Sequence, residues 1–144
     1  MLGFLVFCAA AFTVTPAVAE KHLTWFQAFE ACERRGLELA SIHSQSEEDA
    51  IELVLGNSNN RVGNGFWVSA TSLGSSFVWF TSGSELIYKN FAGGQPDNPK
   101  TEKCLELFRL TNGTWKWNSF RCGVELSILL HSSLPSDENY AECV

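Results

Sequence analysis

Apolar residues recur at helical spacing first around Trp25, Phe29 and Cys32, which fall at i, i+4 and i+7 with Glu30, Glu33, Arg34 and Arg35 on the other faces. With Thr24 as N-cap and Gly36 past the last turn, this spacing predicts an amphipathic helix. A second helix is predicted after Ser44, which has Glu47 three residues on in capping-box spacing. Glu47, Glu48 and Asp49 mass where the positive end of its dipole would lie, and Ala50, Ile51, Leu53, Val54 and Leu55 carry it to Gly56-Asn57. Beyond that point the pattern changes to short runs rich in aromatic and β-branched residues at 66–70, 77–80, 104–110 and 114–117, which read as strands. Residues 127–130 are apolar enough for one more. The stretch 83–103, with Gly93-Gly94, Pro96 and Pro99, has neither period, and a long irregular loop in a compact domain is usually functional. Helices first and antiparallel-looking strands afterwards predict an α+β domain.

Composition narrows the class. The 144 residues are 45% hydrophobic, 18% charged and 12% aromatic, which fits one globular domain. Ten Lys and Arg against sixteen Asp and Glu give a net charge of −6, with no basic run longer than Arg34-Arg35. That argues against a nucleic-acid partner, whose phosphates call for clustered positive charge. At the N-terminus, residues 2–14 are apolar and Ala17-Val18-Ala19 offers the small-x-small pattern of signal-peptide cleavage. Residues 1–19 are therefore expected to be a signal peptide, too short to serve as a membrane span, and the mature protein to be secreted and extracellular. Cys8 leaves with it. Residues 20–131 then form the domain and 132–144 a divergent polar tail.

Cys32, Cys104, Cys122 and Cys143 would mature in an oxidising compartment, where three pairings are open to them. No Cys-x-x-Cys pair suggests zinc, so disulfides are the expectation. His22, His43 and His131 are scattered and read as surface residues. The five Trp read as core, and Asn112-Gly113-Thr114 reads as a turn carrying a glycosylation sequon at Asn112.

The informative cluster is Gly94-Gln95-Pro96-Asp97-Asn98, then Glu102-x-Cys104, then Trp115-Lys116-Trp117-Asn118 and Cys122. In this order and spacing it resembles the C-type lectin domain family. Residues 23–28 with Cys32, residues 39–42 and Phe66-Trp67-Val68 add to the likeness, which covers about residues 22–126. The resemblance implies a C-type lectin-like fold of two helices, small antiparallel sheets and a long irregular ligand-binding loop. It also implies one Ca2+ held by Gln95, Asp97, Glu102, Asn118 and the backbone carbonyl of Ser119, with a cis bond before Pro96. The Gln-Pro-Asp order is the version the family associates with galactose, bound through Gln95, Asp97, Glu102 and Asn118. Independently of the family, these are oxygen donors of the kind a hard cation prefers, two carboxylates and two amides. A Cys104–Cys122 disulfide is expected to tie the loop to the following strand.

The chain departs from the family pattern at several points. Ser119 stands where the family has Asp, which lowers the formal ligand charge from −3 to −2 and predicts a weak site, on the order of 10⁻³ M. Lys103 removes an acidic ligand of a second calcium site. The loop 98–101 has no aromatic residue to stack on a sugar. The family's first strand is nearly absent, and Leu130 stands where its last strand would carry the partner of Cys32. If the tail folds back to the first helix, Cys32 and Cys143 pair; nothing in 132–139 specifies that return path, which favours instead Cys32 as a buried thiol and Cys143 as free to join another chain.

The expected function is that of a secreted calcium-dependent lectin for galactose-type glycans, microbial or self. The alternative is a calcium-independent module on the same scaffold that binds a protein. An enzyme is not expected: there is no Gly-x-Ser-x-Gly, no His-Glu-x-x-His and no phosphate-binding glycine loop.

Overall fold

In a computed structural model the described residues are 22–56, 62–74, 76–131 and 140–143. The expected signal peptide, Cys8 and the tail segment 132–139 lie outside them, as do the side chains of Leu130, His131 and Tyr140–Cys143. Among the described residues no helix is long and apolar enough to cross a membrane.

Both predicted helices form. Helix α1 spans Trp25–Glu33, and Thr24 caps it with a reciprocal box: its hydroxyl accepts from Gln27 N while the Gln27 side chain accepts from Thr24 N. Helix α2 spans Gln45–Leu55 with Ser44 as N-cap, but here the box is only half made. The Glu47 carboxylate reaches one residue further back, accepting from His43 N at 2.7 Å.

The strands are β1 (Glu38–Leu39), β2 (Phe66–Thr71), β3 (Val78–Trp79), β4 (Cys104–Arg109), β5 (Trp115–Phe120), β6 (Ser127–His131) and β7 (Tyr140–Cys143). They form one sheet in the order β1-β6-β2-β4-β5, with β3 on β2 and β7 on β6. All pairings are antiparallel except β2–β6. Alternate residues of β2 enter different cores: Phe66, Val68 and Ala70 pack with Ile51, Leu105 and Trp117, whereas Trp67 packs with Trp25, Cys32 and Ile128. All six residues of the strand are buried, Ser69 and Thr71 included. All five Trp are buried, as expected of core residues.

The tail requires a correction. It returns to the domain, because β7 pairs with β6 from Ile128↔Cys143 to His131↔Tyr140. Leu23 and Leu126 also exchange two backbone hydrogen bonds of 2.9 Å, a remnant of a first strand. Leu129 O bonds Ala40 on one edge of β6, so by the alternation of an extended chain Leu126 faces the other edge, the one β7 covers. The C-terminal strand and the Leu23–Leu126 bridge thus share one edge of the β6 segment. Cys32 is wholly buried, and its relation to the Cys143 side chain lies outside the described residues.

Among the described residues two carboxylates, Glu48 and Glu106, are buried with the core. Glu48 of α2 accepts from Trp117 Nε1 at 3.0 Å and from the Tyr88 hydroxyl at 2.7 Å, which links the helix to β5 and to the long loop. Burial raises its pKa above the ordinary 4.5; the hydrogen bonds from Asn90, Tyr88 and Trp117 oppose this, and the Glu52 charge adds to it. The folded state therefore favours the protonated form more than the unfolded chain does. The stability this group contributes is complete below pH 4.5 and is lost as pH rises through the folded value. In urea titrations from pH 4 to 7, the difference in unfolding free energy between the parent and Glu48→Gln should shift against the parent as pH rises. A difference independent of pH would contradict this account.

Candidate carbohydrate and metal site

The long loop is irregular in pattern but anchored at both ends of its functional half. Ala92 N donates to Trp117 O and Trp117 N to Asn90 O, each at 2.9 Å, so the loop lies against β5 where the Trp117-Asn118-Ser119 segment runs. The far end is fixed by the Cys104–Cys122 disulfide, with a Cα–Cα distance of 5.2 Å, and by the start of β4. Between them, Gly94 at φ +82° turns the chain, Gln95 N donates to Ala92 O, and the Gln95–Pro96 bond is cis. Asn98 O then accepts from Thr101 N and Glu102 N, which brings Glu102 back toward Gln95.

This path brings three of the predicted residues together. Ser119 is wholly buried, and its Oγ lies 3.0 Å from Gln95 Oε1 and 2.9 Å from Glu102 Oε2. Ser119 N also donates to Gln95 Oε1 at 3.3 Å. A hydroxyl has one proton, so Oγ serves one acceptor at a time, and the carboxylate is the stronger of the two. Asp97 is exposed on the turn and accepts from Asn98 Nδ2 at 3.0 Å. A cleft of about 380 Å3 beside it is lined by Asp97, Asn98, Pro99, Lys100 and Thr101. Asn118 is 5% exposed, and its Nδ2 donates inward to Glu106 Oε1 at 2.8 Å.

Glu106 is the residue that sequence reading missed. It lies directly across from Asn118 in the β4–β5 ladder and also accepts from Gly63 N and Gly65 N. Gly65 makes the approach possible, because a Cβ there would sit 2.4 Å from Leu107 O and 2.8 Å from Glu106 Oε2. Burial raises the Glu106 pKa, the bonds from Asn118, Gly63 and Gly65 oppose the rise, and the Glu102 charge reinforces it. The available signal was a lone Glu inside the apolar run Cys104-Leu105-Glu106-Leu107-Phe108.

The donors fit calcium by type. Gln95, Asp97, Glu102, Asn118 and the Ser119 backbone supply oxygen only, and two of the side chains are carboxylates. Among the described residues no group of three or more His, Cys, Asp or Glu could hold an ion, so amide and backbone oxygens would have to complete the shell. Asn112 is exposed in the β4–β5 turn, with its Oδ1 accepting from Thr114 N and Thr114 Oγ1.

Residues 21–129 match the sequence profile of the family described as Lectin C-type domain. Among curated relatives, the galactose-specific lectin nattectin of Thalassophryne nattereri is 34% identical over 119 residues, covering 78% of this chain and 69% of that protein. C-type mannose receptor 2 of Homo sapiens is 32% identical over 99 residues; the match covers 67% of this chain but only 6% of the receptor. Among solved structures, the mouse scavenger receptor C-type lectin carbohydrate-recognition domain superposes with a TM-score of 0.64 at 26% identity, covering 82% of this chain and 88% of that one. Profile, relatives and fold agree, and the chain belongs to the C-type lectin domain family.

Proposed function

We propose that this protein is a secreted lectin that binds galactose-type glycans at the Gln95–Asp97 turn, with a weakly held calcium as part of the site. The carrying observation is the convergence of Gln95 and Glu102 on Ser119, which assembles the loop and β5 into one polar cluster. The galactose-specific relative and the Gln-Pro-Asp order favour the sugar class. Gln95, Asp97, Glu102, Asn118 and the Ser119 carbonyl would hold the ion, which when bound accepts sugar hydroxyl oxygens into its shell. The chain's own part is to present amide N–H donors to the sugar hydroxyl oxygens and carboxylate acceptors to the hydroxyl protons. Gln95 and Asp97 flank Pro96, so an amide and a carboxylate lie on either side of the turn. Single-site binding is weak, and retention on a glycan surface requires several sites at once.

A second reading, calcium-independent recognition of a protein, is favoured by one observation. The Ser119 hydroxyl donates to Glu102, and that bond neutralises no charge and requires no ion. Retention of the folded protein on galactose and mannose resins, with and without chelator, separates the two. Chelator-sensitive retention on galactose is expected. Preference for mannose would overturn the specificity, chelator-insensitive retention on galactose would overturn the calcium part of the site, and no retention on either resin would favour the second reading.

A further inference from the structure

We infer that Glu106 is a positioning residue for the site: by accepting Nδ2 of Asn118, it turns the Asn118 carbonyl oxygen outward as a ligand atom. The inference rests on the reading of Asn118 as a calcium and sugar ligand. An asparagine amide presents an oxygen from one side and an NH2 group from the other, and packing barely distinguishes them. The Glu106 oxygens do, because in this structure they accept from every N–H that faces them, Gly63 N, Gly65 N and Asn118 Nδ2. Glu106 Oε1 lies 2.8 Å from Asn118 Nδ2, and the two residues are direct cross-strand partners. With Nδ2 committed inward, Oδ1 faces away from Glu106, and the second amide hydrogen remains for a sugar hydroxyl.

Glu106 is itself held in one orientation. Gly63 N donates to both of its oxygens at 3.1 and 3.2 Å, and Gly65 N to Oε2 at 3.2 Å. Gly63 has φ +79°, and Gly65 admits no Cβ. The segment before β2, far from the loop in sequence, is thereby shaped around the carboxylate that orients Asn118.

Substitution separates orientation from simple packing. In Glu106→Gln the glycine N–H groups demand the side-chain oxygen, so the new NH2 faces Asn118 and forces its amide to turn over. The site then receives NH2 where it needs oxygen. Calcium affinity, read by calorimetry, should fall at least about tenfold, the usual loss when a partner behind a metal ligand is changed. Combining Glu106→Gln with Asn118→Asp restores an inward acceptor and an outward oxygen, and should recover affinity to within a few-fold of the parent. A merely structural role would not yield to this exchange.

A second readout needs no ion. In the calcium-free parent, NMR should show the Asn118 side-chain amide with one hydrogen protected from solvent exchange. That signature keeps the inference testable if Glu106→Gln does not fold. Parent-like calcium and galactose affinity in Glu106→Gln, while Asn118→Ala loses both, would overturn the inference and leave the proposed site standing. An unprotected Asn118 amide would overturn it too. Full affinity in Asn118→Ala would overturn the ligand reading itself.

Discussion

Ser119→Asp is expected to tighten calcium binding by about ten- to a hundredfold, because it raises the formal ligand charge from −2 to −3 at the point where the loop and β5 meet. Ser119 Oγ lies 2.9 Å from a Glu102 oxygen, so the variant replaces a hydroxyl donor with a second carboxylate against the first. Ser119 is wholly buried, which leaves little water to screen that repulsion. The calcium-free variant should therefore lose about 1–3 kcal/mol of stability, through the lost hydrogen bond and the unpaired charge. A bound ion relieves both penalties. Thermal melts should put the variant below the parent in chelator and well above its own chelated value in calcium. Equal calcium shifts in the parent and Ser119→Asp would mean that this position is not part of a metal site.

Opening the Cys104–Cys122 bridge should lower stability by about 3 kcal/mol in the chain-entropy account, for a sequence separation of 18. Cys104 is wholly buried at the start of β4, opposite Phe120, and β4 follows directly on the loop that carries Gln95, Asp97 and Glu102. The double variant Cys104→Ala/Cys122→Ala should fold, melt roughly 10 °C lower, and hold calcium less tightly because one end of the loop is loosened. Peptide mapping of the non-reduced protein checks the pairing itself: these two cysteines should appear in one linked fragment. An unchanged melting temperature in the double variant would show that the local packing, and not the cross-link, holds this end of the loop.

Both helices were legible because their caps are local: Thr24 with Gln27 and Ser44 with Glu47 lie three residues apart. Strand β5 was legible only in part. Its pattern suggested an end at Trp117, since Asn118 and Ser119 are polar, yet both are buried because Glu106, Gln95 and Glu102 satisfy them from distant segments. Partners that lie 12 to 24 residues away in sequence leave no periodic trace. The two-residue strand β1 is too short for a pattern, and β7 exists through pairing with β6 across the segment 132–139. Glu48 was read as one of three acids favouring the helix dipole, but it differs from its neighbours because Tyr88 and Trp117 close over it. The residues of the proposed site were named from motif spacing alone. The role proposed for Glu106 in orienting Asn118 rests instead on the β4–β5 register and the glycines before β2, which leave no local pattern.

The central claim is that calcium and sugar share the Gln95–Ser119 site, so each must strengthen the other by the same factor. Calorimetric titration of calcium into residues 20–144, in the presence and absence of galactose, tests this most directly. The account predicts weak millimolar-range calcium binding that tightens with galactose, and galactose binding that disappears in chelator. Galactose affinity unchanged by chelator, or calcium affinity unchanged by saturating galactose, would contradict it.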